Sequence, residues 1–172
     1  DGQIFLETEL FHAGIMPAIN PGISVSRVGG AAQLKPMKKV AGELKLLYSQ
    51  YRELQAFAQF GSDLDADTKE RLALGERIVE VLKQDKNSPV PVEYQVAIIY
   101  AAINGYLNEI KVEDVKAYEK DMYSYLREND DELMSRIRDT GLLTDEDTER
   151  LAADLTRFTE KFRHEVYGVV GE

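Results

Sequence analysis

The sequence contains no cysteine among its 172 residues and only two histidines. The lack of cysteine excludes disulfides, thiol nucleophiles and cysteine zinc sites. His12 and His164 lie far apart, and no metal-ligand spacing accompanies either one, so we interpret both as structural residues. No phosphate loop of the G-x-x-x-x-G-K-[ST] kind occurs, and no metal motif occurs. By its own residues, therefore, the chain does not qualify as a nucleotide hydrolase.

Basic charge and long apolar runs are also scarce. The net charge is −10, whereas nucleic-acid binders carry a basic patch or stripe, so nucleic acid is set aside as a partner. No apolar run approaches the roughly 20 residues of a membrane-spanning helix, and the acidic start DGQIFLETEL is unlike a signal peptide. The first residue is Asp1 and not Met, which favours a piece of a longer protein.

Residues 1–34 differ from the rest of the chain, because they hold five of the twelve glycines and two of the five prolines. Residues 3–8 (QIFLET) and residues 19–28 (INPGISVSRV) are predicted to be strands. Two isolated strands are only marginally stable in water. We therefore interpret this segment as the end of a larger sheet whose other strands lie outside the chain.

Helical periodicity begins at Pro36 and continues to the end of the chain. The predicted helices run from Pro36 to a stop at Gly61, then over about 67–83, 92–104, 113–129 and 130–140, and from about 144 onward. The third helix is apolar on much of its surface (VAIIYAAI), so we expect it to be central. In the last helix a stripe that ends in Phe162 and Val166 is expected to face the core. The predicted fold class is mainly α: a bundle of about six helices (35–172) behind a short β-strand and loop remnant (1–34).

The run SVSRVGG places Arg27 at the end of a predicted strand, directly before two glycines. The planar guanidinium fork matches phosphate oxygens and keeps its charge, and glycine lets the backbone approach a ligand closely. An arginine in an ordinary surface turn has the same local pattern. The residues alone leave both interpretations open.

Longer runs around this motif resemble a known family. DGQIFLETELFHAGIMPAINPGISVSRVGGAAQ is similar to the end of the nucleotide-binding domain of the alpha subunits of rotary proton-translocating ATP synthases. MKKVAGELKLLYSQYRELQAFAQFGSDLDADT resembles the start of their C-terminal helical domain, and VAIIYAAINGYL is also similar. The resemblance covers the whole chain, more loosely after Val112, and the pair SVSRVGGAAQ and FAQFGSDLD is highly specific.

The resemblance implies roles for the front segment. Arg27 corresponds to an arginine finger that reaches into the catalytic site of the neighbouring beta subunit, and Ser24 to a serine that positions this segment. Gly2 belongs to the same region. Phe11 and Gln84 correspond to residues that line the adenine pocket of a non-catalytic nucleotide site. From the residues alone, Phe11 is as well explained by a place in the core, and Gln84 by a solvated helix end.

Two positions near that pocket depart from the family. Met16 stands where the family usually has arginine, and Lys86 where it often has glutamine, so contacts to a base there are expected to differ. Asp63, Leu64 and Asp65 correspond to a loop that faces the rotating central stalk. The same acidic turn is also expected to cap the following helix.

The function implied is a share in proton-driven ATP synthesis or hydrolysis by a catalytic hexamer, with no activity expected from the chain alone. The implied partners are beta, gamma and other alpha subunits, and the implied cofactors of the full assembly are ATP or ADP with Mg²⁺. The implied location is peripheral, on the cytoplasmic side of a bacterial inner membrane or its organelle equivalent. The alternatives are a free-standing helical interaction domain without catalysis and, less compatible with the missing phosphate loop, an independent ATP-binding enzyme.

We predict that the chain alone binds no nucleotide tightly, because a phosphate loop normally supplies most contacts to phosphate. Calorimetric titration with Mg-ATP measures this directly. A dissociation constant below about 10 µM, or roughly −7 kcal/mol, contradicts the prediction.

Overall fold

A computed structural model describes residues 1–60 and 64–168 of the chain. Within these ranges the structure is mainly helical with one small antiparallel sheet, which confirms the predicted fold class. The elements are β1 (Gly2–Gln3), α1 (Thr8–His12), β2 (Val25–Ser26), α2 (Arg27–Ala32), α3 (Lys35–Ala58), α4 (Ala66–Leu82), α5 (Val92–Ile103), a 3₁₀ helix (Val112–Asp114), α6 (Val115–Asn129), α7 (Asp131–Thr140) and α8 (Asp145–Tyr167).

All six predicted helices are present as α3 to α8, and local capping interactions set several of their ends. Asp65 accepts a hydrogen bond from the Thr68 backbone N–H at 2.7 Å, so Asp65 is the N-cap and α4 begins at Ala66. Thr144 and Asp147 form a reciprocal capping box at the start of α8. Gly141 ends α7 with a φ of 65°, a left-handed conformation that glycine adopts without steric cost.

Helix α5 is the central element, as predicted from its nearly continuous apolar surface. It packs against α3, α4, α6 and α7, and Val96, Ala97 and Ala101 are fully buried. The main core continues into α6, α7 and α8 through Tyr118, Met122, Leu126, Leu133, Ile137, Leu151, Leu155, Phe158 and Phe162. Each large apolar side chain buried there contributes roughly 1.5–3 kcal/mol relative to exposure.

The inward stripe predicted for the last helix is correct at Phe162, which is buried, and wrong at Val166. Val166 is 48% exposed, because at this end of α8 it is Tyr167 that turns inward and donates a hydrogen bond to Asp114 Oδ2 at 2.7 Å. Phe57 is also exposed. The buried positions of α3 end at Tyr51, so the last turns of this helix contribute no buried side chain.

The two predicted strands are much shorter than expected. β1 pairs with β2 in the register Gly2↔Ser26, one isolated bridge joins Leu6 to Ile19, and the helices α1 and α2 occupy part of the remaining predicted strand residues. Ser26 ends the second strand because its hydroxyl caps the Gly29 N–H at 3.0 Å and thereby starts α2. The two strands pair with one another, and the larger sheet outside the chain stays a prediction.

Residues 1–34 form a thin layer on the helical body. Their large apolar side chains are mostly exposed, including Ile4, Leu6 and Val28, whereas Leu10 is buried. Little apolar burial stabilises this layer, and its backbone depends on hydrogen bonds near solvent, the conditions under which local opening is easy.

We predict that residues 36–167 form the stable unit and that residues 1–34 open first. Amide hydrogen exchange followed by mass spectrometry is expected to show the slowest exchange in α5 and fast exchange over residues 4–6. Limited proteolysis is expected to cut first before Pro36. Equal protection of residues 4–6 and of α5 contradicts the prediction.

Two buried carboxyl groups lie side by side where α6, α7 and α8 meet. Asp130 is held by both nitrogens of the Arg150 fork, with Nε donating to Oδ2 at 2.6 Å. Burial opposes its charge, but the hydrogen bonds from Arg150 outweigh it, so the pKa of Asp130 is lowered. Asp154 pairs with Arg157 through one oxygen, while its other oxygen has no partner among the described residues. Burial, and then the neighbouring Asp130, raise the pKa of Asp154.

We predict that Asp154→Asn raises the free energy of unfolding at pH 7 by about 1 kcal/mol, since the amide removes a poorly compensated buried charge and can donate to Asp130. In the wild type the raised pKa of Asp154 lowers stability as pH rises from its ordinary value of 3.8 through the raised value. The gain is therefore expected to shrink on acidification. Urea unfolding at pH 7 and pH 4 measures both effects, with Asp145→Asn as an exposed control; a gain that is larger at pH 4 contradicts this assignment.

Candidate functional site

Arg27 is the first residue of α2. It directly follows the last residue of β2, whereas the sequence predicted it inside the end of the strand. Its side chain is 88% exposed, and its Nε lies 3.7 Å from Asp1 Oδ1. An exposed ion pair of this length contributes about 0–1 kcal/mol, so the guanidinium is readily available to a ligand outside the chain. The backbone beneath it is better held, since Asp1 Oδ2 accepts hydrogen bonds from Val28 N–H at 2.8 Å and Ser26 Oγ at 3.1 Å.

Ser24 lies three residues before Arg27 and makes contacts in three directions. Its hydroxyl accepts from the Phe5 N–H at 3.0 Å and donates to the Asn20 carbonyl at 2.6 Å. Its own carbonyl accepts from Lys45 Nζ at 3.0 Å. These bonds join the residue before the second strand to the start of the chain, to the preceding loop and to α3.

The two residues predicted for the adenine pocket are placed differently. Phe11 is 56% exposed on α1, and Leu10 is the buried residue of that helix, so the interpretation of Phe11 as core is wrong. Gln84 follows α4, where its N–H donates to the Met16 carbonyl at 3.0 Å and its side chain donates to the Ser88 carbonyl at 2.9 Å. Gln84 is exposed just after a helix, as the interpretation from the residues alone expects. Its backbone also links the end of α4 to the loop that contains Met16.

A cleft of about 890 Å³ opens beside Met16 and Gln84. Its lining among the described residues includes neither Phe11 nor Lys86. The lining also includes Lys83, directly after α4, and five residues of α6: Lys116, Ala117, Glu119, Lys120 and Tyr123.

The α6 residues of this cleft were not found from the sequence. Lys116 Nζ donates to the carbonyl of Lys83 and to Glu119 Oε2 at 2.6 Å, and Tyr123 Oη donates to Glu119 Oε1 at 2.6 Å. Burial, and then the bond to Glu119, raise the pKa of Tyr123, so it remains a neutral phenol. No local signal marks these residues, because the cleft joins α6 to a part of the chain some thirty residues earlier.

The predicted rotor-facing residues lie between α3 and α4. Asp63 lies outside the described residues, and Leu64 is half-buried. Asp65 is exposed, and the hydrogen bond from Thr68 lowers its pKa, which confirms the predicted helix cap. Phe60, on the α3 side of this tip, is 89% exposed. An exposed aromatic side chain beside an acidic cap is suited to contact with another protein.

Over residues 1–60 and 64–168, no acidic, histidine or cysteine side chains are grouped closely enough to hold a metal ion. The same ranges contain no helix that combines the length and the apolar character needed to cross a bilayer.

Residues 33–158 match the family described as "ATP synthase alpha/beta chain, C terminal domain". The protein is also 54% identical, over 166 residues, to the sodium ion specific ATP synthase subunit alpha of Acetobacterium woodii. That alignment includes 96% of this chain and 33% of the relative, so the chain spans about a third of the relative's length. The matches confirm the resemblance to ATP synthase alpha subunits: this chain belongs to the family of C-terminal domains of ATP synthase alpha and beta subunits.

Proposed function

We propose that this chain is the C-terminal third of an ATP synthase alpha subunit and that Arg27 serves the catalytic site of a neighbouring beta subunit. The observation that carries the proposal is the placement of Arg27. Its guanidinium is exposed, while the backbone on either side is fixed by Ser24 and Asp1. A side chain that acts across a subunit interface needs this combination of a free charge and an ordered base.

The chemistry of such a finger is electrostatic. Phosphoryl transfer moves charge onto the phosphoryl oxygens and the leaving oxygen, and a fixed cation stabilises that charge most in the transition state. In GTPases an arginine supplied in trans increases turnover by roughly 10³–10⁵. The nucleotide and Mg²⁺ supply the phosphate and its first counter-charge in the assembled enzyme, and Arg27 adds a second counter-charge from outside the site.

Phe11 and Gln84 are proposed to contact the adenine of a second, non-catalytic nucleotide in the assembled subunit. The cleft beside Gln84 supports this role, because it is wide enough for a base and is walled by polar and apolar side chains. Met16 lines the same cleft, so it would pack on the base where the family's arginine would donate hydrogen bonds. The exposed ring of Phe11 is not part of the cleft lining, so its proposed contact with the base rests on the family resemblance.

The tip formed by Asp63, Leu64 and Asp65 is proposed to face the central stalk. Beta, gamma and other alpha subunits are the proposed partners. The parent assembly is proposed to be peripheral to the cytoplasmic face of a bacterial inner membrane or its organelle equivalent. The proton remains the proposed coupling ion on the resemblance alone, and sodium is the alternative raised by the name of the relative.

We predict that Arg27→Lys, in the full alpha subunit assembled with beta, lowers multisite ATP turnover by at least a hundredfold. Lysine keeps the charge but loses the planar two-pronged geometry. Assembly and the affinity for nucleotide in the ground state are expected to change little, since the finger acts mainly in the transition state. Steady-state hydrolysis and size-exclusion chromatography measure the two effects.

Arg127→Lys is the matched control, because Arg127 is an exposed arginine of α6 that the proposal does not use. Turnover of Arg27→Lys within about threefold of wild type, or about 0.65 kcal/mol, contradicts the finger and makes Arg27 an ordinary surface residue. Loss of assembly with normal turnover per assembled enzyme would make Arg27 an interface anchor instead.

A further inference from the structure

A ring of polar contacts fastens the segment before Arg27 to one face of α3. Lys45 and Arg52 are seven residues apart on this helix, which places them on the same face about 10 Å apart along the axis. Lys45 Nζ donates to the Ser24 carbonyl at 3.0 Å, and Arg52 Nη2 lies 3.5 Å from Glu7 Oε2. The front segment is therefore attached to α3 at two points.

Asn20 closes the ring between these two points. Its amide donates to Glu7 Oε1 at 2.7 Å, and its backbone carbonyl accepts from both the N–H of Ser24 at 3.2 Å and the hydroxyl of Ser24 at 2.6 Å. Asn20 is only 8% exposed, so these bonds are shielded from competing water. The path Arg52–Glu7–Asn20–Ser24–Lys45 begins and ends on α3.

The backbone between Ser24 and Arg27 is nearly extended through β2, and three residues span at most about 10 Å. Helix α2 buries none of its own residues, so its position depends on the attachments at its N-terminal end. The charged hydrogen bond from Lys45 is stronger than a neutral one, and it holds the last carbonyl before the strand. The position of Arg27 relative to the helical body therefore depends on this contact with α3.

We propose that Lys45 is a positioning residue for Arg27: its hydrogen bond to the Ser24 carbonyl fixes the strand and helix that present the guanidinium. The inference rests on the proposed function of Arg27 and extends it to a residue on another element. Phe57 lies near the C-terminal end of α3, about 18 Å along the helix axis from Lys45 at 1.5 Å per residue. The same rigid helix therefore links the proposed rotor-facing tip to the base of the arginine finger.

The test uses full alpha subunits assembled with beta. Lys45→Met keeps the length of the side chain and removes the donor and the charge, and it is expected to lower multisite turnover about tenfold while KM stays within about twofold. Lys45→Arg restores a donor and is expected to recover most of the turnover. Lys38→Met, an exposed lysine on the same helix, is expected to behave as wild type.

A double variant shows whether Lys45 acts through Arg27. If it does, Lys45→Met in the Arg27→Lys background is expected to cause little further loss, because the residue it positions is already impaired. Multiplied losses in the double variant overturn the inference. The inference is also overturned if Lys45→Met lowers both the melting temperature and the turnover, and Lys45→Arg restores neither.

The outcomes separate this inference from the function on which it rests. If Arg27→Lys impairs turnover and Lys45→Met leaves it at the wild-type level, the inference about Lys45 is wrong while the finger stands. If Arg27→Lys itself has no effect, the proposed function is wrong, and the inference falls with it.

Discussion

The packing of α3 against α5 is the interaction on which the rest of the structure depends. Met37 and Val40 meet Val96 of α5 in one apolar cluster, and Leu44 and Tyr48 meet Ile78 of α4 in the next. These contacts align a 24-residue helix along the body. Loss of one such large apolar side chain costs roughly 2–5 kcal/mol, a large part of the total stability of a domain.

A single glycine makes the neighbouring helix fit. A Cβ atom at Gly75 of α4 would stand 2.0 Å from the ring of Tyr51, so only glycine lets α3 and α4 approach with this aromatic ring between them. The glycine costs about 1 kcal/mol of helix propensity relative to alanine. The burial of Tyr51 and the alignment of α3 offset that cost.

The apolar face of α3 fixes this helix on the body, and its polar face contacts the front segment. Lys45 and Arg52 hold the front segment by charged hydrogen bonds, while that segment buries little apolar surface of its own. The two parts therefore differ in kind: the helical body is held mainly by apolar packing, and the front segment mainly by hydrogen bonds and an ion pair. We keep the proposed boundary between residues 34 and 35, where the protein passes from one kind of stabilisation to the other.

The sequence by itself determined the six main helices, their caps and the central place of α5, because periodicity and capping are local properties of the chain. It also carried the family motifs, and with them Arg27, Ser24 and Gln84 as candidates. Only the tertiary structure decided which residues of the front segment form strands, since the cap at Ser26 competes with strand pairing. It likewise decided that Leu10 and not Phe11 is buried. The cleft wall from α6 and the bond from Lys45 to Ser24 join residues that are distant in sequence, and such contacts exist only after the helices have packed.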